Sequence, residues 1–246
     1  MAMRILLTND DGFGAEGLVA LTKVLERDHE VWVFAPDKER SGVSHALTMG
    51  APGKVRELGP RAFSCSGTPA DCVVLALLGA IGCKPDIVVS GINRGPNLGT
   101  DIVYSGTCGA AREAVLAGFP GIAVSSVGRE RGLRYGAAAS FVARNLERLV
   151  ASCSSEVFIN INAPDSDEES LEGIWCSPCA RIYGNGLRSF DGPDGYLYCF
   201  LTGTDSDSRG PDESDYRVVS SGKVAVSPIL VQPQPPAGFI SGREFR

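Results

Sequence analysis

Short apolar runs alternate with amphipathic segments over the first two thirds of the chain. The apolar runs have the length and β-branched content of buried strands, and they lie near residues 4–8, 30–35, 86–90, 121–126 and 157–161. Helical periodicity fills several of the intervals, at residues 16–27, 70–78 and 133–150. Strand–helix–strand units with short joints form parallel sheets with right-handed crossovers. We therefore predict an α/β fold, a Rossmann-like doubly wound sheet over about residues 3–163.

The pattern changes after residue 164. Two apolar stretches, at residues 175–179 and 195–202, predict the strands of a β-hairpin excursion over about residues 165–215. The acidic stretch 205–215 is predicted to be a solvated loop, because it lacks the ligand spacing of an EF-hand.

Residues 218–227 predict a last strand near the main sheet, followed by an extended Pro-rich tail from Pro228. The tail carries Phe239 and Phe245 as apolar anchors, which suggests that it docks on a neighbouring subunit in an oligomer. The excursion is short, so residues 1–246 are predicted to form a single α/β domain, with the final strand and tail over about 216–246.

Two adjacent carboxylates, Asp10 and Asp11, come directly after the first apolar run. Ligands of open α/β sheets bind at the carboxyl ends of the strands. Adjacent strand residues point to opposite faces, so both carboxylates reach one ligand only if the chain turns, and glycines at positions 12, 14 and 17 permit a turn. A carboxylate pair of this kind attracts a hard divalent cation, Mg²⁺ or Mn²⁺. The alternative is an Asx turn that caps the following helix.

Two further polar loops follow predicted strands. Ser41 and Gly42 come after the second strand, at the same edge as the acidic pair. Residues 90–101 follow the 86–90 strand, and their glycines and prolines predict irregular structure. Asn93 and Asn97 in this loop offer amide oxygens and nitrogens to a ligand.

Ser105, Gly106 and Thr107 open an Ala-rich helix. A helix N-terminus with free N–H groups is suited to binding an anion, and capping by a hydroxyl is compatible with that role. Asn160 and Asn162 also lie near a strand end, where Pro164 favours a simple turn.

Composition narrows the functional classes. A net charge of −6 argues against broad binding of nucleic acid duplexes, and no apolar run is long enough for a membrane helix. We find no targeting segment and predict a cytoplasmic protein. The eight cysteines are predicted to be reduced, and the single Cys176–Cys179 pair is insufficient for a zinc site.

Five motifs together resemble the survival protein E family. They are Asn9-Asp-Asp-Gly12, Ala35-Pro with Ser41-Gly, Gly67-Thr-Pro-Ala-Asp-Cys72, Ser90-Gly-Ile-Asn-Arg-Gly-Pro-Asn-Leu-Gly99 and Tyr104-Ser-Gly-Thr107. The resemblance is dense from residue 3 to 127 and looser beyond. It implies a metal-dependent 5′/3′-nucleotidase that hydrolyses nucleoside monophosphates, with room for an exopolyphosphatase side activity, in a homodimer or homotetramer.

The resemblance also implies roles for individual residues. One divalent ion per subunit, Mg²⁺ or Mn²⁺, would be held by Asp10, Asp11, Ser41 and Asn93. The phosphate would lie near Gly42, Asn97, Ser105, Gly106 and Thr107, and the catalytic residues would be Asp10, Asp11 and Asn97. This chain departs from the family at Cys108, which we expect to be silent for chemistry, and His45 is at most a substrate-side residue.

Phosphate monoester hydrolysis is thus the predicted reaction, by attack of water or of an aspartate. A haloacid-dehalogenase-type phosphatase is a weaker alternative, because it expects Asp-x-Asp-x-Thr and here the carboxylates are adjacent. A non-catalytic nucleotide-binding regulatory module is the alternative from another class. Metal-dependent release of phosphate would separate it from an enzyme.

Overall fold

A nine-stranded, mostly parallel sheet forms the body of the protein, in a computed structural model that describes residues 1–128 and 132–234. Its strands, in spatial order, are β3 (Val55–Gly59), β4 (Ala62–Cys65), β2 (Glu30–Pro36), β1 (Arg4–Thr8), β5 (Ile87–Arg94), β6 (Gly121–Val127), β7 (Val157–Pro164), β11 (Val224–Leu230) and β8 (Gly173–Trp175). Only the pairs β3–β4 and β7–β11 are antiparallel. The predicted α/β class is confirmed.

Helices cover both faces of this sheet. They are α1 (Glu16–Leu25), α2 (Pro69–Leu77), α3 (Gly106–Leu116), α4 (Gly136–Ser152) and the short α5 (Asp215–Ser220). Adjacent residues of β1 show the two layers: Leu7 packs with α1 and α4, whereas Leu6 packs with α2 and α3. No helix within the described ranges is long and apolar enough to cross a membrane.

Local sequence explains where α2 begins. The Thr68 hydroxyl accepts a hydrogen bond from the Asp71 N–H, and the Asp71 carboxylate accepts one from the Thr68 N–H. This reciprocal capping box, with Pro69 in the first turn, confirms the predicted helix start.

The sheet reverses its winding between β1 and β5. From β1 the chain continues to β2 on one side, whereas β5, β6 and β7 follow one another on the other side. Loops at the carboxyl ends of β1 and β5 therefore leave in opposite directions and open a crevice between them. The Asp10–Asp11 turn and the loop after Arg94 both begin at this crevice.

The predicted hairpin strands were partly wrong. β8 ends at Trp175 and joins the main sheet, parallel to β11. The hairpin consists of β9 (Ala180–Asp191) and β10 (Leu197–Arg209), so β10 runs through part of the acidic stretch that was predicted to be a loop. Most side chains of β9 are exposed and two of its residues are glycines, so no apolar–polar alternation marks it.

Two further boundaries differ from the prediction. Residues 218–227 were predicted to form one strand, but they contain the end of α5 and the start of β11. The error arose because the β-branched Val218 and Val219, which are buried in α5, resemble strand residues in the sequence. Strand β11 continues to Leu230, so the tail cannot begin at Pro228. The predicted anchors Phe239 and Phe245 lie outside the described residues.

The segment 90–101 is more regular than its glycines and prolines indicated. Strand β5 continues to Arg94, and a 3₁₀ helix covers Gly99–Val103. The cysteines are all free; six are buried, Cys153 is half-buried and Cys199 is exposed.

Candidate active site

A cavity of about 370 Å³ lies at the carboxyl edge of the sheet. Four separate parts of the chain line this cavity. The lining residues are Asp10, Ser41, Gly42, Asn93, Arg94, Asn97, Asp101, Tyr104, Ser105 and Tyr183. Six of the predicted site residues therefore meet at one cavity. Of the other three, Gly106 and Thr107 lie directly behind Asp10, and Asp11 faces a neighbouring cavity of about 440 Å³. Arg94 lines both cavities.

Asp10 is almost completely buried and is held by the start of α3. Its Oδ1 accepts a hydrogen bond from the Thr107 hydroxyl at 2.6 Å, and its Oδ2 accepts one from the Thr107 N–H at 3.2 Å. Burial raises the pKa of Asp10 from 3.8 to about 6, although the bonds from Thr107 act in the opposite direction. Its charged form therefore needs a nearby positive charge.

Asp11 has a different set of contacts. Its Oδ2 accepts the backbone N–H of Arg94 at 2.9 Å, and burial raises its pKa against the effect of that bond. The turn itself is closed by Asn9, whose side chain bonds both the N–H and the carbonyl of Gly12. Helix α1 has no side-chain cap. Neither carboxylate thus makes the helix-capping Asx turn that was the alternative.

Asn97 is fixed by two asparagines of β7. The Asn160 and Asn162 Nδ2 groups both donate to the Asn97 carbonyl, at 2.8 and 3.0 Å, and the Asn162 Oδ1 accepts the Asn97 N–H at 2.9 Å. The Asn97 amide donates to the Ser125 hydroxyl at 2.9 Å. The sequence suggested that Asn160 and Asn162 lie in a simple turn, whereas both are buried in strand β7. Their signal was an unusual polar pair in an otherwise apolar strand.

The loop that carries Ser41 and Gly42 is fastened to the 3₁₀ helix and α3. Ser44 donates its N–H to the Tyr104 carbonyl at 2.9 Å and its hydroxyl to the Val103 carbonyl at 2.7 Å. His45 pairs with Glu113 of α3 at 2.6 Å and does not line the cavity.

The hairpin supplies one wall of the cavity through Tyr183 of β9. Two residues before it, Arg181 lies 3.4 Å from the carboxylate of Asp101, which also lines the cavity. The fully buried Asp215 accepts the backbone N–H groups of Gly99 and Cys179, at 2.7 and 2.9 Å. These contacts tie the base of the hairpin to the site. The exposed, glycine-containing β9 gave no sequence signal for them.

The donor set at this edge fits a hard divalent cation. Within the described ranges, no group of three or more His, Cys, Asp and Glu side chains forms a metal centre. Asp10 and Asp11 provide two carboxylates, and Mg²⁺ is commonly bound by one or two carboxylates together with substrate phosphate. The Asn93 Nδ2 donates to the Gly95 carbonyl at 2.9 Å, and its Oδ1, 3.5 Å from the Thr107 hydroxyl, is a neutral oxygen that suits a metal ligand.

Comparison with known proteins identifies the family of this chain. The family model described as "Survival protein SurE" matches residues 5–185. The 5'-nucleotidase SurE of Geotalea daltonii is 42% identical over 235 residues, covering 92% of each chain, and that of Geobacter sulfurreducens is 43% identical over 229 residues, covering 92% of this chain and 87% of the relative. The crystal structure of SurE protein from Aquifex aeolicus superimposes with a TM-score of 0.82 and 33% identity, covering 94% of each chain. The chain belongs to the survival protein SurE family.

Proposed function

We propose that this protein is a metal-dependent 5′-nucleotidase that hydrolyses nucleoside 5′-monophosphates to nucleoside and phosphate. The observation that carries the proposal is one cavity that combines Asp10, amide groups and the N-terminus of α3, with Asp11 beside it. The relatives named 5'-nucleotidase SurE, which match over nearly the whole chain, support the same reaction.

The residues present define how a phosphoryl group would be held. Asp10, Asp11, Ser41 and Asn93 would hold a divalent ion, Mg²⁺ or Mn²⁺, which when bound neutralises phosphoryl charge and can activate water. The N-terminus of α3 at Ser105 and Gly106 places a positive dipole end beside Asp10. Asn97, with its backbone locked by β7, is preorganised to contact the transferring group.

Two tyrosines at the rim support a nucleoside as the leaving group. Tyr104 and Tyr183 line the cavity and are 59% and 40% exposed. Aromatic rings in such positions stack on nucleobases, and each stacked base contributes about 1–3 kcal/mol. Activity on nucleoside 3′-monophosphates and on polyphosphate belongs to the same hypothesis, because the phosphoryl contacts do not depend on the leaving group.

Phosphate release from AMP tests the proposal directly. We expect activity with Mg²⁺ or Mn²⁺, complete loss in EDTA, and recovery when the metal is restored. 3′-AMP, polyphosphate and p-nitrophenyl phosphate, assayed in parallel, would define the substrate range. AMP binding without phosphate release would instead identify a regulatory module, and full activity after thorough chelation would overturn the metal assignment.

We also propose that the protein assembles with further copies of itself. The hairpin exposes Leu187, Phe190, Leu197 and Leu201, and Phe190 stacks between Tyr198 and Phe200 at 5.3 and 5.8 Å. In the paired strands, Leu187, Leu197 and Leu201 lie on one face, and Phe190 lies on the other with Tyr198 and Phe200. Exposed apolar side chains of this kind are typical of protein–protein contacts. We propose a homodimer or homotetramer, and light scattering coupled to gel filtration would measure its mass.

A further inference from the structure

Acidic side chains strongly outnumber basic ones around the two cavities. Asp10 and Asp101 line the first cavity, and Asp11, Glu16 and Glu39 line the second. Among the described residues, Arg94 is the only lysine or arginine that lines either cavity, and it lines both. A phosphate ester dianion entering this acidic region would therefore meet a single side-chain cation.

The backbone of Arg94 is fixed by three contacts. It ends strand β5, and its N–H donates to the Asp11 Oδ2 at 2.9 Å. The next residue, Gly95, donates its N–H to the carbonyls of Asn93 and Ser126, both at 3.1 Å. The backbone of Arg94 is thus held in place at the crevice.

The guanidinium of Arg94, in contrast, forms no ion pair among the described residues, although its charge acts on the Asp11 carboxylate from a distance. The residue is exposed, and none of the ion pairs between described residues involves it, although three carboxylates line the same cavity. Arg4, Arg134 and Arg181 all pair with neighbouring acids. An anchored backbone with an unpaired guanidinium is what recognition of an incoming anion requires.

We infer that Arg94 is a further catalytic residue, whose guanidinium binds the non-bridging oxygens of the phosphoryl group and stabilises its charge during transfer. The inference rests on the proposed function. Guanidinium groups bind phosphate oxygens in a bidentate way, and charge on those oxygens develops in phosphoryl transfer.

The role of Arg94 is electrostatic and leaves the proton balance unchanged. Water forms the new P–O bond, the ester P–O bond to the nucleoside breaks, and the leaving oxygen gains a proton from that water, giving nucleoside and hydrogen phosphate. The guanidinium takes no part in the proton transfer, because arginine is not deprotonated in proteins.

The test compares Arg94→Met and Arg94→Lys with the wild type in Mn²⁺. Loss of one preorganised donor to a transition state lowers kcat by about 10²- to 10³-fold. We expect a loss of this size in kcat/KM for Arg94→Met with both AMP and p-nitrophenyl phosphate, and partial recovery in Arg94→Lys. Arg56→Met, an exposed arginine of β3 away from both cavities, is the matched control and should keep full activity.

Equilibrium binding provides a readout besides activity. Inorganic phosphate in the presence of Mn²⁺ should bind Arg94→Met at least about tenfold more weakly, because a charge-assisted hydrogen bond contributes about 1.5–3 kcal/mol. Mn²⁺ alone should bind the variant no more weakly than the wild type, since the Asp11 hydrogen bond is made by the backbone of residue 94 and the change removes a positive charge near the site.

Each other result has a distinct meaning. Unchanged kcat/KM and phosphate affinity in Arg94→Met would overturn the inference. A defect with AMP but not with p-nitrophenyl phosphate would place Arg94 at the nucleoside, and a defect rescued by excess Mn²⁺ would place its effect on the metal ligands; both overturn it. If the wild type released no phosphate from any ester, the proposed function would fail, while phosphate binding would still test Arg94.

Discussion

The carboxyl edge of the sheet and the β9–β10 hairpin invert the usual distribution of residues in opposite ways. At the edge, polar side chains are buried: Asp10 is 3% exposed, and Thr107 and Asn162 are 0% exposed. On the hairpin, apolar side chains are exposed: Tyr196 is 71% and Leu201 is 91% exposed. Buried polar groups and exposed apolar patches are the informative exceptions in a protein structure.

The two inversions have different physical consequences. Buried polar groups at the edge are bonded to one another, so their positions are set before any ligand arrives, as preorganised binding requires. Among the hairpin side chains that the structure describes, none from β9 or β10 is buried, and isolated two-stranded hairpins are marginally stable in water. Its stability therefore depends on contacts at its base and on whatever covers its apolar faces.

The largest effect is expected from Asp10→Asn. The change is nearly isosteric but removes the buried charge that the proposed cation needs, so turnover of AMP should fall by about a thousandfold. Steady-state kinetics at saturating Mn²⁺ would measure it, with exposed Asp28→Asn as the control that removes the same charge elsewhere. Near wild-type turnover in a folded Asp10→Asn protein would show that the edge is preorganised for something other than this chemistry.

The stability of the metal-free protein should depend on pH through the same residue. The folded state raises the pKa of Asp10 from 3.8 to about 6, so protonation favours the folded state. The contribution of Asp10 to stability is thus fully present below about pH 4 and lost as the pH rises to about 6, by roughly 3 kcal/mol.

Urea unfolding in EDTA at pH 4 and pH 7 would measure this loss as the difference between wild type and Asp10→Asn. That difference should change by roughly 3 kcal/mol between the two pH values. Adding Mn²⁺ at pH 7 should restore the stability of the wild type by mass action. A difference that does not change with pH would mean that Asp10 is not strained by burial.

Thr107→Val tests how the edge is held together. The family resemblance assigns the Thr107 hydroxyl to phosphate, but the hydroxyl is buried and donates to Asp10 at 2.6 Å. A lost hydrogen bond to a charged group costs about 1.5–3 kcal/mol, or roughly ten- to 150-fold in kcat/KM. Because the loss acts through Asp10, excess Mn²⁺ should partly restore activity, and Thr107→Ser should retain it. A uniform defect at every Mn²⁺ concentration would instead support direct contact with phosphate.

The same contrast explains how much the sequence could predict. At the edge, each loop follows an apolar strand, so strand ends and topology together predict that Asp10, Ser41, Asn93 and Asn97 lie near one another. The buried partners Asn160, Asn162 and Asp215 were missed because they lie within β7 and α5 and not in a loop after a strand, so only the packing of distant elements shows their contacts.

Prediction failed mainly beyond residue 164, for a related reason. Periodicity reports the burial of one face, and β9 has no buried face to report. Val218 and Val219 were predicted to lie in a strand but lie in helix α5, because their burial depends on packing against β11 and not on local propensity. The register between β9 and β10, including the irregularity between Thr204 and Asp207, has no local signature either.

Tyr183→Ala tests the contribution of the hairpin to the site. If its ring stacks on the base, KM for AMP should rise by about five- to 150-fold, the equivalent of 1–3 kcal/mol. KM for p-nitrophenyl phosphate should change much less, because that ester carries no nucleobase. Tyr196→Ala, at the far end of the hairpin, is the matched control. Equal effects on both esters would show that Tyr183 serves the fold of the hairpin and not the substrate.

The smallest effect on folding is expected from Leu201→Ser, a change on the exposed apolar surface of the hairpin. Surface substitutions usually change the free energy of unfolding by less than about 0.5 kcal/mol, whereas Leu7→Ala in the core should cost about 2–5 kcal/mol. If copies of the chain meet through the hairpin, Leu201→Ser should leave subunit folding intact and shift the mass measured by light scattering towards smaller species. An unchanged mass would mean that this apolar face is not the assembly surface. A loss of folding stability as large as that of Leu7→Ala, measured under conditions where the protein is monomeric, would show that the hairpin is part of the folded core after all.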